Sequence, residues 1–144
     1  MKSDPALRLW VVLARAYNAL AAATNRHIES HDLTPAEFAV LEALYHKGPL
    51  LLGEIQKKVL VSSGGMTWIV DRLVKRGLVE RTPCPGDRRA RYAGLTSAGR
   101  EFIAAIFPEH AEVVRRACRG LSAAEQREAR ELLKRLGLEA ATDG

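Results

Sequence analysis

Leu78-Val79-Glu80-Arg81-Thr82-Pro83-Cys84-Pro85-Gly86-Asp87-Arg88-Arg89-Ala90-Arg91-Tyr92 is the stretch on which the fold of this chain turns. Two strand-like runs, about 78–82 and about 89–95, flank a Pro/Gly turn, the pattern of a β-hairpin. The tip of that hairpin carries clustered arginines. Immediately upstream, Ser62-Ser63-Gly64-Gly65 opens a helix-like segment whose apolar stripe is Met66, Ile69, Val70 and Leu73. Gly77 ends it, as a residue free to adopt the left-handed conformation. The opposite face carries Gly64, Thr67, Trp68, Asp71, Arg72 and Lys75. A helix with small residues at its front, followed at once by a hairpin, is the second half of a winged helix-turn-helix.

Working outward, the flanks supply the remaining parts. Asp4-Pro5 starts a first helix, which Leu7, Trp10, Leu13, Ala14, Tyr17, Leu20, Ala21, Thr24 and Ile28 carry to about His31;. Thr34-Pro35-Ala36-Glu37 is a capping box opening a second helix with Phe38, Leu41, Leu44 and Tyr45 inward, stopped at Gly48-Pro49;. Leu50 to Leu52 has the length of a bridging strand, and Glu54 to Leu60 reads as a short third helix. After the hairpin, Thr96 or Ser97 starts a long helix in which Pro108 predicts a kink or break near Phe107. Ser122-Ala123-Ala124-Glu125 is a second capping box, and its helix shows Leu132, Leu133 and Leu136 before Gly137.

The expected fold is therefore mainly α within a single domain, 1–144. A winged helix-turn-helix (a three-helix core plus β-hairpin wing, about 34–96) lies between terminal helices at about 4–33 and 97–140. The terminal stripes have no partner within so small a middle, which implies that they cover a second copy as dimerisation helices.

Composition narrows the class of partner. The 144 residues are 47% hydrophobic and 27% charged, with formal net charge +5 and pI about 9.6. The surplus is local: Lys75 to Arg91 holds six cations against two anions. Such a footprint suits a polyanion, and double-stranded DNA is the partner expected for a winged fold. Cys84 and Cys118 fit neither a disulfide framework nor a zinc pattern. Lys2 and Asp4 do not belong to a signal peptide, and no apolar run spans a bilayer. A cytoplasmic location without membrane contact is expected. Nothing resembles a nucleophile–base pair, a P-loop or a dinucleotide fingerprint, so no enzymatic activity and no cofactor are expected.

Ser62 to Thr67, Val70-Asp71-Arg72-Leu73, Gly77 to Arg81, Asp87-Arg88-Arg89 and Leu95-Thr96-Ser97-Ala98-Gly99 together resemble the MarR family of dimeric winged-helix transcription regulators. The resemblance covers nearly the whole chain. It implies that Asp87 braces the wing turn and that Arg89 reaches the minor groove. It also implies an effector pocket between the terminal helices and the winged middle. Tyr45-His46-Lys47-Gly48-Pro49, Pro83-Cys84-Pro85 and Ile106-Phe107-Pro108-Glu109-His110 are similar to the branch that answers quinones and catechol-like phenols. Trp68 departs from the smaller or basic residue many members carry.

Function is then expected from named residues. Ser62, Ser63, Gly64 and Thr67 lie nearest the base edges when such a helix enters a major groove. Gly64 and Gly65 serve either close backbone approach or helix packing. Trp68 either covers a thymine methyl and sugar edge or folds back on the core. Arg72 and Lys75 read as phosphate contacts, and Arg88, Arg89 and Arg91 as wing contacts, Arg89 favoured by the potential of a narrow groove. Trp10, Tyr17 and Tyr45 are candidates for a small aromatic effector, or else plain core. Cys84, beside Arg81, Arg88 and Arg89, is a candidate for oxidants and electrophiles, or an idle thiol; Cys118 reads as core. His27 and His31, at i and i+4, could hold a metal ion from one helix face. With no cysteine nearby and His46 and His110 far off in sequence, they read as solvated, and no metal is expected. These residues describe a repressor released by a phenol, a quinone or thiol modification. The alternatives are a sequence-tolerant nucleoid-type DNA-binding protein and an adaptor that kept the winged fold without binding DNA.

Overall fold

A computed structural model describes residues 4–59 and 63–143 of the chain. The elements run α1 (Pro5–Ser30), α2 (Pro35–Lys47), β1 (Leu50–Leu51), α3 (Leu52–Val59), α4 (Ser63–Lys75), β2 (Val79–Cys84), β3 (Asp87–Leu95), α5 (Ser97–Ala117) and α6 (Ala123–Ala140), ending in a short 3-10 turn. This is the mainly α, winged helix-turn-helix class read from the sequence. No helix among the described residues is long and apolar enough to cross a membrane.

Local chemistry sets the boundaries. Asp4 Oδ1 accepts the Ala6 N–H at 3.0 Å at the start of α1. Thr34 and Glu37 exchange bonds at the start of α2, and Ser122 and Glu125 do the same at α6, so each box satisfies two orphan donors;. The end of α4 is a Schellman turn. Gly77 sits at φ +75, its N–H donates to the Val74 carbonyl, and the Leu78 N–H donates to the Leu73 carbonyl;. That turn delivers the chain into β2. The strands reach further than their hydrophobic runs suggest, to Cys84 and from Asp87, because Gly86 at φ +87 allows the tight reversal between them;.

The sheet is antiparallel in the order β1-β3-β2, with Leu50 opposite Ala93, Thr82 opposite Tyr92, and a bulge between Pro83 and Cys84. Thr96 joins wing to α5. Its hydroxyl donates to the Gly77 carbonyl at 2.6 Å and accepts the Gly99 N–H at 2.9 Å. Gly99 is the residue that permits this approach, since a Cβ there would stand 1.9 Å from the Leu78 carbonyl oxygen.

One helix expectation needs correction. α5 continues through Pro108, so the helix does not break there. Packing lies on both sides of the lost backbone bond, with Phe107 against the His46 ring at 4.8 Å and Glu109 held by two histidines. α6 runs through Gly137 to Ala140, within the bounds expected for the terminal helices; an internal glycine costs only about 1 kcal/mol relative to alanine.

The chain divides into two compact units. One spans Thr24–Ala111 and holds every fully buried apolar side chain among the described residues, from Ile28 to Ile106. Phe38, Leu41, Leu44, Ile55, Met66, Val70, Leu73 and Ile103 form its centre. The other unit comprises the described residues up to Ala23 and those from Glu112 onward. It buries none of its described side chains fully.

Candidate DNA-binding surface

The exposed face of α4 carries Thr67, Trp68, Asp71, Arg72 and Lys75, with Thr67, Asp71 and Lys75 in one row a turn apart and Trp68 and Arg72 in the row beside it;. Ser62 lies outside the described residues, as do the surroundings of Ser63 and Gly64. Trp68 is 57% exposed, so it does not fold back on the core. The Arg72 guanidinium stands over its ring at 4.9 Å, a cation–π contact;. Arg72 also faces inward: its Nε lies 3.5 Å from Oε2 of the fully buried Glu37. That oxygen has no hydrogen-bond partner, so the contact is between charges, while Oε1 accepts the Thr34 N–H at 2.9 Å. Arg72 therefore positions Trp68 and neutralises Glu37 as much as it faces solvent.

Several of the clustered cations are already engaged. Arg81 of β2 pairs with Asp71 of α4. Arg76 donates to the Asp32 carbonyl at 2.7 Å and covers the Phe102 ring. Arg91 bends back onto the wing, its Nη1 donating to the Arg88 and Ala90 carbonyls at 2.8 and 3.0 Å. Among the described residues this leaves the side chains of Lys75, Arg88 and Arg89 exposed and held by no carboxylate. Asp87 Oδ1 accepts the Arg89 N–H at 2.9 Å across the wing turn. The geometry is thus a helix face and an arginine-tipped flap, joined by one ion pair. Lys57 of α3 and Arg89 line an open groove of about 470 Å³ between α3 and β3.

Cys84 is half-buried, its thiol 3.7 Å from the Pro85 carbonyl oxygen. Of the three arginines read beside it, Arg81 is committed to Asp71. Tyr92 has its hydroxyl held above its ordinary 10.0 by Cys84, first through charge and then through hydrogen bonding. Cys118 lies beyond the end of α5 and is half-buried, so it is not a core residue.

Trp10 and Tyr17 are 69% and 68% exposed in the single chain, which excludes plain core for both. Tyr45 belongs to the other unit, partly buried against its core, with the Phe107 ring at 6.1 Å. His27 and His31 are not solvated helix-end residues. Both rest on Glu109 of α5, and His110 packs its ring 4.5 Å from Phe38. Burial lowers the His110 pKa below its ordinary 6.5. The pairings of Glu109 with His27 and His31 and of Glu37 with Arg72 escaped sequence reasoning because these partners lie far apart along the chain.

Comparison with known proteins agrees with this geometry. Residues 33–90 match the model of the MarR family. The chain is 42% identical over 138 residues to the HTH-type transcriptional regulator MhqR of Bacillus subtilis, covering 96% of this chain and 95% of that one. Among solved structures, Bordetella bronchiseptica BpsR, whose DNA binding is regulated by 6-hydroxynicotinic acid, is 28% identical with a TM-score of 0.81, covering 90% and 98% of the two chains. A mutant of Escherichia coli MarR complexed with operator DNA is also 28% identical, with a TM-score of 0.75 and coverage of 93% and 99%.

Proposed function

Because this chain belongs to the MarR family, and is a DNA-binding transcriptional regulator rather than an enzyme, we propose that it acts as a homodimeric repressor of a pseudo-palindromic operator. In this reading α4 enters the major groove. Ser62, Ser63, Gly64, Thr67 and Trp68 lie nearest the bases, and Arg72 and Lys75 face the phosphates. Arg88 and Arg89 of the wing reach the adjoining minor groove, and Arg91 stiffens the flap that carries them. The observation that carries it is the wing tip, where Arg88 and Arg89 stand exposed without a carboxylate partner while Asp87 and Arg91 brace the backbone beneath them. Exposed guanidinium groups on a braced flap suit the negative potential of a narrow groove.

The dimer is supported by the terminal helices. Trp10, Val12, Tyr17, Leu132, Leu133 and Leu138 are all exposed in the single chain, a quantity of apolar surface that soluble monomers rarely leave uncovered. A second copy of the same helices supplies the cover. For release, the proposed effector is a small hydroxylated aromatic, a phenol or quinone, in keeping with the hydroxylated ring that regulates BpsR. Trp10, Tyr17 and Tyr45 are the aromatic candidates for it. Cys84 offers a second route, since an adduct on the wing strand would disturb the flap directly.

Selection of bound sites from a random duplex library tests the whole reading. The expected product is an inverted repeat with half-sites about one helical turn (~34 Å) apart. It should be held on the order of a thousandfold more tightly than random duplex. Equal retention of all sequences would mean a sequence-tolerant compacting protein instead. A stable monomer in sedimentation would overturn the dimer, and an operator complex indifferent to a panel of phenols and quinones would overturn the effector. Loss of the response in Cys84→Ser would assign it to the thiol.

A further inference from the structure

Away from the DNA-facing surface, the end of α1 and the middle of α5 bring together two histidines and a glutamate. His27 and His31 are one helical turn apart and share a face. Each Nε2 lies 3.1 Å from the same oxygen, Oε2 of Glu109, across separations of 82 and 78 residues. The two rings meet edge to face with centroids 4.9 Å apart. All three ligand atoms lie within 4.8 Å of one another.

These distances are close to those of a coordination shell. Ligand atoms at 2.0–2.1 Å from a tetrahedral zinc ion stand about 3.3 Å from each other. Both nitrogen–oxygen separations are already near that value, and only the nitrogen–nitrogen edge has to close. The more exposed partners, His31 at 29% and Glu109 at 59% side-chain exposure, are the ones with room to move in that adjustment. In the metal-free form each Nε2 donates its proton to the Glu109 carboxylate, so an ion that takes that nitrogen must release the proton, and binding strengthens as pH rises;. Two imidazoles and one carboxylate are a donor set for first-row divalent ions, whereas magnesium and calcium prefer all-oxygen shells.

We propose that His27, His31 and Glu109 form a binding site for a divalent transition-metal ion of the zinc class, clasping α1 to α5, with its fourth position open to water. Two long-range hydrogen bonds to one oxygen are exchanged for three bonds to one ion. The clasp lies wholly within the Thr24–Ala111 unit.

The test uses the full chain, stripped with a chelator and titrated with Zn2+ and then Co2+. One ion per chain is expected, with a rise in Tm and the visible d–d absorption of four-coordinate Co2+. Excess Mg2+ should not displace it. His31→Ala, at a partly buried position, and Glu109→Gln, at an exposed one, should each weaken Zn2+ binding by about tenfold or more, a loss that even supporting groups of metal sites can produce;. Their apo forms should melt near wild type, and Cys84→Ser should bind Zn2+ as wild type does. Absence of binding, wild-type affinity in both variants, or loss of binding in Cys84→Ser would overturn the proposal.

Discussion

Arg81 of β2 donates from Nη2 to Oδ1 of Asp71 on α4, so the wing and the helix before it are held by one charge-assisted bond. Both partners remain in contact with solvent. An exposed pair contributes only about 0–1 kcal/mol to stability. Its consequence is orientation, since it sets the flap relative to the exposed face of α4.

Asp71→Asn separates these roles. Tm should change little, while the ratio of operator to random-duplex affinity falls several-fold. Removing a negative charge from the DNA-facing side should itself raise non-specific binding. Fluorescence anisotropy on both duplexes, alongside thermal melting, reads the two effects independently.

Arg89→Ala and Arg91→Ala should differ in kind. Arg89 carries an exposed guanidinium at the wing tip, and its loss should weaken operator binding by about 1–3 kcal/mol and reduce the salt slope by about one per chain. Arg91 is spent on the Arg88 and Ala90 carbonyls. Its removal should loosen the wing, with a smaller change in salt slope. Affinity measured across a salt series distinguishes them.

Gly99→Ala should be severely destabilising. The added Cβ meets the Leu78 carbonyl oxygen at 1.9 Å, against backbone that also accepts the Thr96 N–H. Relief requires α5 to move from the Schellman turn, and a loss of about 3 kcal/mol or more is expected, in the range of severe core strain. Denaturant unfolding measures it, with Ser97→Ala as an exposed control.

Glu125 gives a pH-dependent contribution with a definite sign. Its carboxylate accepts the Ser122 N–H, and this bond, then that to the Ser122 side chain, lowers its pKa below 4.5. The stabilisation is therefore fully present above the unfolded value and is lost as pH falls through that value toward the lower folded one. Glu125→Gln should remove this contribution, lowering α6 stability slightly at neutral pH and flattening this part of the acid limb, so that the two proteins converge in acid. Hydrogen exchange of the first turn of α6, followed from neutral to acid pH, checks it.

Reading the chain residue by residue reached the local devices and stopped at the distant ones. The two capping boxes, the Gly77 exit and the wing turn are written within four or five neighbouring residues. Their chemistry closes on itself, so their positions follow from spacing alone. Pro108 left a break open for the complementary reason. It carries a local penalty that helix packing outweighs, and local pattern cannot weigh that sum;.

By itself, then, the sequence determined the order of elements, the winged architecture and the basic flap, because short-range sterics and hydrogen bonding leave few other solutions; the bracing role of Asp87 came from the family resemblance. Only the tertiary structure decided which arginines are spent on partners and which stand exposed. It alone paired Arg81 with Asp71, set Arg72 between Glu37 and Trp68, and gathered His27, His31 and Glu109. A charge's partner depends on distance in space, and the chain brings together in folding groups whose separation along it carries no trace of that meeting.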